Sequence, residues 1–237
     1  MALVDSFIAI DLETTGLKCG SDKIMEIALI KYENGIDKDK FTTLINPGVA
    51  ISESVTGLTG IDADMVKDAP YISDVIDEVW DFIGNDILVG HNLMFDYSFL
   101  KKAMVNSGKS FEKYGIDTLK LARILLTDLE HKNLDYVCRY FDIKDDNHHR
   151  AFNDARAAAE LLYKLYDKFG EEHDDLFKAG KLEFKVKKEG PITAHQLERI
   201  RGLLKKHGIE PDYEPEKLTK NEASRKIDKI YLQYGRL

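Results

Sequence analysis

The chain has 237 residues, 43% hydrophobic, 10% aromatic and 32% charged, enough apolar material for a sizeable core and a poor fit to a short peptide, a repeat array or a wholly disordered segment. Its formal charge of −8 is unevenly spread: 14 basic and 9 acidic residues in 181–237 give +5 there and leave −13 for 1–180. A region that acidic repels a polyanion unless bound cations or a local basic surface reverse the field, so residues 1–180 do not read as a module that grips nucleic acid through its own basic side chains; acidic metal ligands remain compatible.

The first uncharged apolar run, 7–10, lies between Asp5 and Asp11 and fits no signal peptide, and no window approaches the roughly 18 to 20 apolar residues of a membrane helix. Cys19 and Cys138 lack metal-ligand spacing, and two thiols in a chain this size do not make a disulfide scaffold; the expected compartment is the cytoplasm. Residues 7–10 predict a buried strand ending at Asp11. Residues 24–32 and 41–45, separated by Asn34-Gly35 and a charged stretch, predict an antiparallel hairpin. Residues 55–70 read as turns, and Ile72, Val75, Ile76, Val79 and Ile83 predict a helix over 72–83. A short strand at 87–89 precedes a helix over 95–105 closed by Gly108, and Ile116 belongs to another short strand. Helical periodicity returns at 118–126, 134–141 and 152–169. This order predicts an α/β domain over 1–170 with a mixed sheet, then a linker over 171–190. Past Gly180 within it, 182–187 allows a short strand, and 191–237 forms a small basic helical unit with helices near 193–207 and 219–234; Thr219 and Glu222 supply a capping-box pattern for the second.

Three short strings carry candidate chemistry. In Asp11-Leu12-Glu13 the two carboxylates are two residues apart, so on an extended chain they leave the same face, where hard divalent cations take oxygen ligands; by itself the triplet also reads as a solvated strand end. Asp96 falls in the first turn of the helix after 87–89, at the edge of the sheet where ligands collect, although an acid there also complements the helix dipole. Asp154 lies in the first turn of the helix over 152–169, with His148 and His149 on the approach to it; a histidine with an ordinary pKa near 6.5 can take a proton from water, and surface histidines at a polar helix entry are the plainer alternative. Four carboxylates and one imidazole have one chemical explanation, two metal ions about 3.5–4 Å apart acting on a phosphodiester. Serine and cysteine mechanisms lack support, since no G-x-S-x-G occurs and neither cysteine has a nearby histidine; no GxxxxGK[ST] phosphate loop is present.

The strings FIAIDLETTGL (7–17), HNLMFDYSFL (91–100) and HRAFNDA (149–155) resemble, in order, the three exonuclease motifs of the DEDD superfamily, in its histidine-bearing DEDDh branch, which includes the proofreading epsilon subunit and the exonuclease domain of bacterial DNA polymerase III. The resemblance covers about residues 5–170 and implies a ribonuclease-H-like fold, a five-stranded mixed sheet flanked by helices. It implies that Asp11, Glu13, Asp96 and Asp154 hold two Mg²⁺ or Mn²⁺ ions, with Asp11 bridging, and that the H-x-A-x-x-D register selects His149 rather than His148 as general base. The implied reaction is 3′-to-5′ release of nucleoside monophosphates from single-stranded or frayed DNA ends, in proofreading or repair, with a DNA polymerase assembly as a further implied partner. Thr14, Thr15, Leu17, Asn92 and Phe95 are implied candidates for nucleotide contact, with packing an equal reading of Leu17 and Phe95; Asp117 reads as a structural cap. Ribonuclease T-like RNA trimming and a catalytically silent nucleic-acid or polymerase-binding module are the alternatives. Residues 191–237 resemble a small helical unit appended to some DNA-processing proteins, and its Lys205-Lys206 and Arg225-Lys226 pairs suit phosphates or simple solvation.

Overall fold

In the computed structural model, which describes residues 3–144 and 150–235, the first strand runs past its apolar segment. β1 (Ser6–Thr14) contains the Asp-Leu-Glu triplet because β2 (Ile24–Glu33) pairs with it over its full length, from Ser6 opposite Glu33 to Thr14 opposite Ile24. Asn34 and Gly35 take positive φ values of 53° and 80°, the geometry of a tight two-residue hairpin turn, and lead straight into β3 (Ile36–Leu44). The charged stretch 37–40 is therefore strand rather than connection. It forms the exposed outer edge, where charge is solvated and discourages pairing with another chain.

The 55–70 region folds into two short helices, α1 (Glu53–Thr59) and α2 (Ala63–Val66), capped by Ser52 and Asp62. α3 (Ile72–Ile83) has the predicted bounds and buries Ile76, Val79 and Ile83. β4 (Ile87–Gly90), α4 (Leu93–Asn106), β5 (Tyr114–Asp117), α5 (Thr118–Leu125), α6 (Leu134–Tyr140) and α7 (Ala151–His173) follow. β4 lies parallel to β1 and β5 parallel to β4, making the sheet mixed. The five strands are joined by a sixth: β6 (Gly180–Lys181) pairs antiparallel with β5, giving the order β3-β2-β1-β4-β5-β6. No strand forms over 182–187. β6 runs antiparallel past the start of β5, Lys181 faces Tyr114, and after Leu182 N–H reaches Lys113 O at 2.9 Å the chain has no partner strand left.

Period-two alternation divides the core. Phe7 and Ala9 face α5–α7 with Val89, Leu161, Leu162 and Leu165, while Ile8, Ile10 and Leu12 face α3 and α4 with Val79, Tyr97 and Leu100. The sheet is thus covered by helices on both sides, and Asp11 and Glu13 inherit the α7 side from the parity of Phe7 and Ala9. Buried Ala151, Ala155, Ala157 and Ala159 give α7 small side chains against the sheet, so its first turn approaches β1 and β2 closely. α8 (Ala194–His207) and α9 (Lys220–Tyr234) enclose a separate small core of Ile200, Leu203, Leu218, Ala223, Ile227 and Ile230.

Candidate active site

Strand parity and helix docking bring Asp11, Glu13 and Asp154 together, with one carboxylate oxygen from each lying within 4.8 Å of the others. Asp96 enters from the opposite layer. β4 pairs only with Phe7–Ala9 of β1, so β1 overhangs its parallel neighbour, and the amide of Leu12 has no strand to bond on that side. The buried Asp96 carboxylate accepts that N–H at 3.0 Å, which fixes the first turn of α4 against the metal-ligand candidates.

Burial first, then the charges of Asp96, Asp154, Glu13 and Glu26, holds the Asp11 carboxyl well above the ordinary carboxylate range. Burial likewise raises Asp96, with the Leu12 N–H pulling the other way. Glu13 is pushed up to about 7, by burial and then by Asp154 and Glu26, with Arg150 opposing. The cluster is thus an accumulation of desolvated negative charge whose ionised form requires added positive charge. The donors are all hard oxygens, and two oxygens about 2.1–2.4 Å from one Mg²⁺ or Ca²⁺-sized ion lie up to about 4–5 Å apart, so the arrangement fits a hard divalent cation.

A fifth carboxylate, Glu26, is one that strand patterning alone passes over. It lies directly across the β1–β2 ladder from Glu13, a like-charge pairing that would destabilise the strands if left alone. Arg150, at the N-cap of α7, answers it: Nη2 donates to Glu26 Oε1 at 2.7 Å, Nε lies 3.2 and 3.3 Å from the two oxygens, and Ala151 N–H donates to Oε2 at 3.1 Å. Glu26 is buried, so this clamp seats the first turn of α7, and with it Asp154, on β2. The signal in the sequence is a single acid inside the otherwise apolar run IMEIALI.

The remaining candidates separate. Thr14 is buried, its Oγ1 donating to Gly16 O at 2.7 Å, and Thr15 locks the base of the β1–β2 turn, its N–H donating to Lys23 O and its Oγ1 accepting Lys23 N–H. Leu17 is 84% exposed and packs against no core. Phe95 is half-buried, its ring tilted by 50° against that of Phe99 with the centroids 5.0 Å apart. Asn92 adopts a left-handed conformation (φ 71°), and its N–H donates to Asp117. Asp117 also caps α5 through Leu119 N–H and Lys120 N–H. His91 is held by Thr118 Oγ1 and Lys132 O at 2.9 and 2.8 Å. His149 and His148 lie outside the described residues.

Comparison with known proteins fits this geometry. A family model described as exonuclease matches residues 8–162. The chain belongs to the exonuclease family. The DNA polymerase III PolC-type proteins of Caldanaerobacter subterraneus and Bacillus subtilis are 42% and 39% identical over 170 and 179 residues, covering 72% and 73% of this chain. The chain spans only 12% of the length of each of those relatives. The structure of exonuclease X in complex with 5′-overhanging duplex DNA is 27% identical, covers 73% of this chain and 99% of its own, and has a TM-score of 0.59. Escherichia coli exonuclease I in complex with a dT13 oligonucleotide, 16% identical with a TM-score of 0.63 over 73% of this chain and 43% of its own, shares the fold. The fold is ribonuclease-H-like, and the acidic cluster of this exonuclease-family chain is consistent with metal binding.

Proposed function

We propose that the protein removes nucleoside monophosphates one at a time from the 3′ end of DNA, with Asp11, Glu13, Asp96 and Asp154 holding two Mg²⁺ or Mn²⁺ ions and His149 serving as general base. The observation that carries this reading is the convergence of β1, α4 and α7 carboxylates at one end of the sheet, with Arg150 bonded to Glu26 and only partly offsetting Glu13. When bound, the ions would polarise the scissile phosphate and offset charge on the leaving oxygen. The chain's own residues do the positioning: Asp11 and Glu13 stand on one face of a rigid central strand, Asp154 is held by the clamped helix, and Asp96 is fixed by the strand amide that it caps. His149, five residues before Asp154, would accept the proton of the attacking water.

The substrate is a single-stranded or frayed DNA end, in proofreading or repair, a reading supported by the polymerase III relatives and by exonuclease X on DNA. Among the described residues no helix is long and apolar enough to cross a membrane, and the DNA-processing relatives support a cytoplasmic setting. We also divide the chain into an exonuclease domain over 1–170, a connecting stretch over 171–190 and an accessory unit over 191–237. End-labelled DNA and RNA oligonucleotides with free or blocked 3′ ends, each with Mg²⁺, Mn²⁺ or chelator, test the activity. Mononucleotide release from free DNA 3′ ends only when metal is present is expected. Faster release from RNA would make the protein an RNA trimmer, and DNA binding with metal but no release would make it a silent binding module.

A further inference from the structure

The basic C-terminal unit is docked beside the acidic cluster, at the β1–β2 turn that follows Glu13. Glu222, in the first turn of α9, joins the two parts. One of its oxygens closes the capping box by accepting Thr219 N–H at 2.8 Å, and the other is ion-paired with Lys23 from the foot of that turn. Arg225 Nη2 donates to Gly20 O at the turn's tip at 2.9 Å, and Lys102 of α4 pairs with Glu189 at 3.4 Å, just ahead of the unit. The turn is itself stiff. Asp22 caps Lys18 N–H at 2.7 Å and occupies the space where a side chain at Gly16 would stand.

Between this turn and α9 lies a cleft of about 340 Å³, with Thr15 on one side and Arg225, Lys226 and Lys229 on the other. Helical spacing puts the three cations, with the buried Glu222, on one stripe of α9, beside the face that buries Ala223, Ile227 and Ile230. The acids lining the cleft already have partners: Glu222 is paired with Lys23, and Asp22 serves the turn. Lys226 leans towards Asp212 at 3.7 Å, and Lys229 makes no hydrogen bond or ion pair among the described residues. The cleft therefore carries surplus positive charge in a molecule that is otherwise strongly acidic. Thr15 follows Glu13 by two residues, just past the end of β1, so the two lie at most about 7 Å apart along the chain and the cleft opens next to the carboxylate cluster.

We propose that this cleft binds the sugar–phosphate backbone of the DNA strand whose end occupies the carboxylate cluster, with Arg225, Lys226 and Lys229 of the accessory helix meeting phosphates upstream of the scissile bond. The proposal rests on the protein's acting on a DNA strand. It explains how residues 1–180, of charge −13, hold a polyanion, because the accessory unit supplies the local reversal of field that they lack.

The test uses the full chain. The variants are Lys229→Glu, at a side chain that makes no hydrogen bond or ion pair among the described residues, and Arg225→Gln, which also removes a docking bond. KM is measured on a dinucleotide and on a single-stranded 12-mer, each over a range of salt concentration. For Lys229→Glu the ratio of the 12-mer KM to the dinucleotide KM is expected to rise at least fivefold over wild type. The slope of log KM against log salt on the 12-mer should become shallower by about 0.7 for each cation removed. A ratio and slope equal to those of wild type in both variants would overturn the cleft as a DNA site. Absence of nucleotide release by the wild-type protein from either substrate would instead refute the exonuclease activity on which the proposal rests.

Discussion

Each carboxylate of the cluster is held where it costs stability, and that gives residue-scale consequences of opposite sign for activity and for folding. Asp154 raises the proton affinity of both Asp11 and Glu13, so its ionised form repels the other two in the metal-free protein. Asp154→Asn keeps the shape and removes the charge. If Asp154 is a metal ligand, turnover should fall by on the order of 10³-fold, because a stabilisation of several kcal/mol in the transition state is lost. In chelator the same variant should be more stable than wild type by about 1–2 kcal/mol, as relief of buried like-charge repulsion requires. Denaturant melts in chelator, paired with rates in Mg²⁺, check both halves. Near-normal turnover, or a variant less stable than wild type without metal, would contradict this account.

At the scale of elements, the fold was legible wherever a segment's own pattern decided its structure. The spacing of apolar residues over 72–83 fixed α3 to the residue, and Thr219 with Glu222 marked the start of α9. Neighbours decided the rest. β1 continues past Ile10 only because β2 is there to pair with it, and the charged residues 37–40 become a strand because they lie at the edge and stay solvated. β6 is set by where β5 starts. The motif strings marked which acids to examine. They could not show that Asp96 meets the site through the unpaired Leu12 N–H, or that Glu26, hidden in a strand pattern, seats α7. That clamp is an element-level device, and removing it should act on the helix start. Glu26→Ala leaves Arg150 and the Ala151 N–H without their acceptor. Because the Arg150 side chain is 45% exposed and can turn to water, the cost should be about 2 kcal/mol instead of that of a fully buried broken pair. Turnover should drop together with faster hydrogen exchange at the amides of the first turn of α7, and Glu26→Gln should fall between. Wild-type exchange in that turn with Glu26→Ala would show that the helix is seated by its apolar face alone.

At the scale of the whole molecule, the cluster couples stability to pH and to metal. A carboxyl whose folded pKa is raised binds more protons folded than unfolded, so between its unfolded value near 4.5 and its folded value its contribution falls as pH rises. For Glu13, raised to about 7, the window is roughly pH 4.5–7 and the loss by pH 8 is on the order of 3 kcal/mol; Asp11 and Asp96 shift in the same direction. The metal-free protein should therefore melt at a lower temperature at pH 8 than at pH 5–6. Metal binds the ionised carboxylates, so its effect runs the other way, absent where they hold protons and full above about pH 7. At a concentration about a hundredfold above its Kd, Mg²⁺ should add about 2.7 kcal/mol, which for a chain of this length is a rise of roughly 5–10 °C. Melting curves at pH 5, 6, 7 and 8, in chelator and in Mg²⁺, should converge at the acid end and diverge at the alkaline end. Glu13→Gln should flatten the chelator series, because the amide has no proton to lose. A Mg²⁺ shift as large at pH 5 as at pH 8, or a wild-type chelator series that climbs with pH, would mean that these buried acids are not what binds the ion.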